Sequence, residues 1–147
     1  MLRDLRGPSK HGPHWSLPAE RMKAGSAFIM PLSGLALELL RPHLKADPAA
    51  PIFRLHRDDL QEAAQRLVAG LAMERWTPHD LRRTAATILD RSGYSLEQIG
   101  ALLAHTRKGV TAARWNKFDL RREMARVVEQ SLRDTLSETP EAAQLAA

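Results

Sequence analysis

The chain has 147 residues, 44% of them hydrophobic, which suits one domain with its own apolar core. It has no cysteine, which excludes a disulfide framework and a thiolate zinc site. No apolar stretch approaches a membrane span and the N-terminus lacks a signal-peptide core, so we expect a cytoplasmic protein without a membrane segment.

The net charge of +5 is concentrated in two segments. Residues 1–45 carry seven Lys/Arg against three Asp/Glu, and residues 103–126 carry seven against two. If the fold brings both segments to one face, that face is positive and suits a polyanion such as nucleic acid. The alternative is a generally basic domain whose charge has no specific partner.

A loop and a hairpin are the first predicted elements. Glycines and prolines among residues 1–13 predict the loop. Two short apolar runs, at 14–19 and 27–32, flank a polar segment that contains a glycine. This pattern predicts a β-hairpin with Lys23 near its tip.

Two helices and a linker are predicted next. The hydroxyl of Ser33 can cap a helix that runs to about residue 44, because leucines follow it at helical spacing. A Pro/Ala linker occupies residues 45–51, and residues 51–55 form a short extended piece. Residues 58–72 then predict a second helix, which begins at one of two aspartates.

A third helix is predicted from Thr77 to about Gly93. Thr77 suits the N-cap and Pro78 the first helical position, where no backbone N–H is needed. His79 and Arg82 are three residues apart and therefore project from one face of the helix. Cationic donors at a helix start, where the dipole also favours negative charge, predict a phosphate site.

The C-terminal third is predicted to be helical with one polar loop. Ser95 and Gln98 match a capping box for a helix that ends near Leu103. Residues 105–109 form the loop, and the helical pattern resumes at about Val110. An apolar stripe on this last helix is predicted to join the core: Leu120, Met124, Val127, Val128, Ser131 and Leu132.

The predicted architecture is mainly α with a small β-hairpin near the N-terminus. One domain is expected over residues 14–137. Residues 1–13 would form a loop before it, and residues 138–147 a flexible tail without core residues.

An ordered set of residues resembles a known family. Lys23 on the hairpin is followed by His79 and Arg82 at a helix start and by His105 in a loop. With the runs around it, this set resembles the C-terminal catalytic domain of tyrosine recombinases, the phage integrase family, and its prophage integrases in particular. The resemblance extends from about residue 14 to 128 and implies that catalytic-domain fold, in part. The motifs that carry it are Trp-Ser-Leu-Pro-Ala-Glu-Arg-Met-Lys at 15–23, Met-Pro-Leu-Ser at 30–33, His-Asp-Leu-Arg-Arg-Thr at 79–84, Leu-Ala-His-Thr at 103–106, Gly-Val-Thr at 109–111 and Trp-Asn at 115–116.

The resemblance implies DNA breakage and rejoining without a metal, ATP or another cofactor. In that family a tyrosine hydroxyl attacks the scissile phosphate and leaves a 3′-phosphotyrosyl link and a free 5′-hydroxyl. By resemblance, Lys23 is the general acid for the leaving oxygen and Arg82 clamps the phosphate. His79 is an acid/base and phosphate donor, and His105 is a second donor.

Two departures from the family matter for activity. The family's earlier arginine clamp lies upstream of the hairpin and has no counterpart here, so we expect a chain truncated at its N-terminus. The nucleophile should follow His105 by nine or ten residues, and Trp115 stands there. Its indole N–H is a donor only and cannot attack phosphorus. Tyr94, the one tyrosine, lies on a different element.

The expected function is therefore binding of double-stranded DNA without competent strand cleavage, in a nucleoid-associated protein. The enzyme class implied by the family is a site-specific recombinase. The alternatives are a non-catalytic DNA-binding regulatory module and a helix-turn-helix-like repressor. The resemblance also makes the C-terminal helix a candidate contact between copies on DNA, because in that family a C-terminal helix can dock onto a neighbouring protomer.

Each candidate residue also has a structural interpretation. Lys23 could be a solvated hairpin lysine, and His79 a capping or surface histidine. His105 could interact with a helix C-terminus, and Trp115 could be simple hydrophobic packing. The remaining histidines show no ligand spacing, so no metal site is assigned.

Overall fold

The computed structural model describes residues 2–3, 12–22, 25–45, 47, 50–54, 56, 58–70, 74–104 and 117–138. In this part of the chain the fold is mostly helical with an antiparallel hairpin near the N-terminus, which confirms the predicted class. The strands are β1 (Leu2–Arg3), β2 (His14–Leu17) and β3 (Phe28–Pro31). The helices are α1 (Gly34–Leu40), α2 (Asp59–Gly70), α3 (Pro78–Arg91), α4 (Leu96–Leu102) and α5 (Lys117–Glu138), with short 3-10 turns at Ala19–Arg21 and Arg41–His43.

The hairpin of β2 and β3 is confirmed, and it belongs to a three-stranded sheet in the order β1-β2-β3. The loop predicted over residues 1–13 is wrong at Leu2–Arg3, which pair antiparallel with β2. Backbone hydrogen bonds to a neighbouring strand formed there despite the glycines and prolines that follow, because pairing needs no particular side chain. The predicted domain bounds of 14–137 stay a prediction.

The helix starts predicted at Ser33, Thr77 and Ser95 agree with the structure, whereas α1 ends at Leu40 and a 3-10 turn follows it, short of the predicted end near residue 44. The helix end predicted near residue 72, the loop predicted at 105–109 and the helix start predicted near Val110 lie outside the described residues. The Ser33 hydroxyl accepts from the backbone N–H of Ala36 at 3.4 Å, and the Gln98 side chain accepts from the N–H of Ser95 at 2.8 Å. Gly93 has φ of 86°, the left-handed conformation that a helix C-terminus favours. The extended piece predicted at 51–55 is not a strand over residues 51–54.

The core lies where α3, α4 and α5 meet. Leu89 and Met124 are fully buried there, and Ile99 and Leu102 are 5% exposed. Three residues of the predicted α5 stripe pack against this cluster: Leu120, Val127 and Val128. Leu132 does not, since it is 42% exposed, so the predicted stripe is wrong at its C-terminal end. There α5 contacts α1 through polar groups instead.

We call this polar contact the α1–α5 latch; it consists of Glu38, Glu129 and Arg133. The Glu129 carboxylate accepts from the backbone N–H of Leu35 at 2.9 Å, in the first turn of α1. Arg133 donates to Glu129 and to Glu38, each at 2.9 Å. A carboxylate at a helix N-terminus is favoured by the dipole and satisfies an N–H that has no intrahelical partner.

Candidate functional site

The start of α3 is held by its own side chains. Asp80 accepts from the backbone N–H of Thr77 at 3.0 Å and from its hydroxyl at 2.8 Å. These hydrogen bonds, led by the one from the Thr77 hydroxyl, lower the pKa of the Asp80 carboxyl. Asp80 is therefore a capping residue, which defines where α3 begins.

His79 and Arg82 lie on the core-facing side of α3, at its N-terminal end, where this side reaches solvent. Arg82 precedes Ala86 and Leu89 by four and seven residues, so it shares the face that packs into the core. It is half-buried, while His79, one turn earlier, is exposed. The structure therefore places the two predicted phosphate donors at the solvent end of the core face, as their spacing predicts.

Arg82 also contacts the end of α4. Its Nη2 donates to the backbone carbonyl of Leu103, the residue after the last of α4. A guanidinium has five N–H donors, so further donors remain for an anion after this contact. Ala104 follows with φ of 54°, a left-handed conformation that is uncommon for a residue with a Cβ. This turn directs the chain out of α4 immediately before His105.

Lys23, His105 and Trp115 lie outside the described residues. Their described neighbours are nevertheless informative. Lys23 belongs to the connection between β2 and β3, and His105 follows the last residue of α4 by three residues. Arg82 contacts the backbone at that same end of α4, so the His79/Arg82 pair and the segment that leads to His105 are neighbours in space.

Sequence reasoning missed Arg121. It is half-buried, and burial lowers the pKa of its guanidinium. Its Nε donates to the carbonyl of Ala101 at 3.0 Å and its Nη1 to that of Ile29 at 2.9 Å. The available signal was its position: it precedes Met124 by three residues and so belongs to the inward face of α5.

Tyr94 has a structural role in the domain. Its hydroxyl donates to Glu123 at 2.9 Å and its ring packs against the core. Burial, followed by the contact with Glu123, raises the pKa of the Tyr94 hydroxyl. It follows the C-terminus of α3, and about 14 Å of helix separates Arg82 from the last residue of α3. Tyr94 is therefore poorly placed to act as a nucleophile beside Arg82.

Other kinds of site find no support in the described part of the chain. There, no group of three or more His, Asp or Glu side chains is arranged to hold a metal. No described helix is long and apolar enough to cross a membrane. A pocket of about 380 Å³ between α2 and the segment before α3 has a mainly apolar lining: Gln65, Val68, Ala69, Arg75 and Trp76. It lacks the cluster of cationic donors that a phosphate site needs.

Comparison with known proteins identifies the family. The model of the phage integrase family matches residues 10–122, which is most of the chain. The chain therefore belongs to the phage integrase family, the tyrosine recombinases, as the ordered set of motifs predicts. The family supports a recombinase-type DNA-binding function, and its proteins bind double-stranded DNA. No curated protein and no solved structure matches the chain.

Proposed function

We propose that this chain binds a phosphate of double-stranded DNA at the start of α3 and does not cleave the strand. One observation carries the proposal: Arg82 emerges half-buried beside the end of α4, with exposed His79 one turn before it. A guanidinium held in this way binds phosphate oxygens with little loss of side-chain freedom. Lys23 and His105 would complete the pocket from the hairpin connection and from the segment after α4.

The absence of cleavage is proposed from Trp115. Transesterification forms a bond from a tyrosine oxygen to phosphorus and breaks the bond from phosphorus to the 5′-oxygen, which takes a proton. An indole has no lone pair available for the first step, so binding would stop before any covalent link. Tyr94 does not replace the missing hydroxyl, because Glu123 engages it. The activity that remains is that of a DNA-binding regulatory module in the cytoplasm, associated with the nucleoid.

Fluorescence anisotropy with a labelled duplex of about 30 base pairs, over a series of salt concentrations, tests the binding. We expect Arg82→Gln to weaken binding and to reduce the slope of log K against log salt by about one phosphate contact. Arg83→Gln is the matched control, because Arg83 has the same charge on the same helix and its partner is Asp80 at 3.6 Å. Absence of duplex binding at low salt, or equal slopes for the two variants, would refute the proposal.

A nicked suicide duplex tests the absence of cleavage. On such a substrate a cleaved strand cannot be rejoined, so a competent recombinase accumulates as a covalent protein–DNA adduct. We expect no adduct after denaturation. An adduct would overturn this part of the proposal, and peptide mapping would identify the attacking residue.

We further propose that two copies contact each other on DNA through α5. Leu132 and Leu136 are four residues apart on one face of α5 and are 42% and 52% exposed. Exposed apolar side chains on one helix face are typical of a protein–protein contact, and we propose a second copy of this chain as the partner. We expect sedimentation of the DNA complex to show two protomers, and Leu132→Ser with Leu136→Ser to reduce this to one. A single protomer in the unaltered complex would contradict the proposal.

A further inference from the structure

Arg121 joins three elements of the domain. From α5 it donates to Ala101 in the last turn of α4 and to Ile29 in β3, and its Cζ lies 4.5 Å from the ring centroid of Phe28. Both hydrogen-bond acceptors are backbone carbonyls, and among the described residues no carboxylate forms an ion pair with Arg121. The contact therefore depends on the shape of the guanidinium fork rather than on charge pairing.

The two acceptors lie close in sequence to Lys23 and to His105. Ile29 is in the strand that follows the connection with Lys23. Ala101 precedes His105 by four residues, and Arg121 itself follows Trp115 by six. Because one planar group binds both carbonyls, it sets the distance between the hairpin and the end of α4.

A second guanidinium, that of Arg82 on α3, also binds the C-terminal end of α4. Arg82 of α3 donates to Leu103, and Arg121 of α5 donates to Ala101. Carbonyls in the last turn of a helix have no intrahelical partners, and the dipole favours cations there. The end of α4 is therefore held between α3 and α5.

We propose that Arg121 is a positioning residue: by joining β3 to the end of α4, it fixes the two points from which the chain leads to Lys23 and to His105, relative to Arg82 and the proposed phosphate site. This inference rests on the proposed function for its consequence on DNA. Its geometric part, the fixed distance between the hairpin and α4, stands without DNA.

Spin labels test the geometric part. The chain has no cysteine, so Ser26→Cys in the hairpin connection and Glu97→Cys on α4, both at exposed positions, give one defined pair. We expect Arg121→Met, which keeps an apolar stem but no donor, to broaden the distance distribution between the labels. The control is Arg122→Met, because Arg122 binds Asp119 on its own helix. Unchanged distributions in both variants would overturn the inference.

A double-mutant cycle on DNA affinity tests the consequence. We expect Arg121→Met to weaken duplex binding about ten-fold in the original chain but less than about two-fold when Lys23→Ala and His105→Ala are present. Equal losses in both backgrounds would mean that Arg121 does not act through these residues. Arg121→Lys, which can keep one of the two hydrogen bonds, should restore part of the affinity, and it replaces Arg121→Met if circular dichroism shows that the latter is unfolded.

The two experiments separate the possible failures. If the original chain does not bind duplex DNA, the proposed function fails and the spin labels still decide whether Arg121 fixes the hairpin. If the original chain binds DNA and the cycle is additive, the positioning role fails and the proposed function stands.

Discussion

The guanidinium of Arg82 donates to the backbone carbonyl of Leu103 and so connects the second turn of α3 with the end of α4. The same side chain is the predicted phosphate clamp. The hydrogen bond to Leu103 orients the Arg82 guanidinium before any anion binds. A phosphate would therefore bind to a side chain that is already held in place.

This contact predicts a stability effect at Arg82. Arg82→Ala removes a charged donor from a helix-end carbonyl and should lower the free energy of unfolding by about 1–2 kcal/mol. Arg83→Ala, which removes an exposed ion pair on the same helix, should change it by less than about 0.5 kcal/mol. Urea denaturation followed by circular dichroism measures both. Equal changes in the free energy of unfolding for the two variants would show that the hydrogen bond from Arg82 to Leu103 does not stabilise the fold.

Trp115→Tyr is predicted to create a nucleophile. If Trp115 occupies the position of the family's tyrosine, the variant should form a covalent adduct with a nicked suicide duplex, and the original chain should form none. Denaturing electrophoresis detects the adduct. Tyr94→Phe in the same background is the control and should leave the adduct unchanged. Loss of the adduct in that double variant would assign the attack to Tyr94.

The α1–α5 latch predicts that the effect of Gly34→Ala depends on Glu129. A Cβ at Gly34 would lie 3.1 Å from Oε1 of Glu129, which is closer than ordinary contact. The substitution should therefore leave stability unchanged or lower it in the original chain. In a Glu129→Ala background the crowding is absent, and the helix propensity of alanine should raise stability by up to about 1 kcal/mol. Thermal unfolding of the four proteins measures the coupling, and additive effects would show that Glu129 does not crowd this position.

The lowered pKa values of the Asp80 and Glu129 carboxyl groups predict that the domain is less stable in acid. The pKa of Asp80 is lowered by its hydrogen bonds with Thr77. Burial acts to raise the pKa of Glu129, but hydrogen bonds from Arg133 and from the backbone of Leu35 outweigh it and the net shift is downward. A lowered folded-state pKa means that the unfolded chain binds more protons below about pH 4.5, so stability rises with pH there.

The contribution of these carboxyls should be complete above about pH 5 and should be lost as the pH falls through their folded-state pKa values. Urea unfolding between about pH 2.5 and 6 measures the dependence. Asp80→Asn with Glu129→Gln should flatten it. An equally steep dependence in the double variant would show that other groups are responsible.

Much of the fold follows from local signals in the sequence. Ser33, Ser95 and Gly93 mark helix ends through hydrogen bonds and backbone conformations that involve only a few neighbouring residues. The strand at Leu2–Arg3 could not be predicted in this way, because its partner lies more than ten residues away and its residues carry no strand pattern. The exposure of Leu132 likewise follows from packing between elements, which the helical period of α5 does not determine.

Residue order and the helical period were sufficient to predict the family, the starts of α1, α3 and α4, and the common face of His79 and Arg82. The contact of Arg82 with Leu103, and the contacts by which Arg121 joins β3 to α4, depend on how the elements pack and became visible in the folded domain. Those contacts unite residues 20 to 92 positions apart, and hydrogen bonds to backbone carbonyls leave no mark on the residue types that accept them.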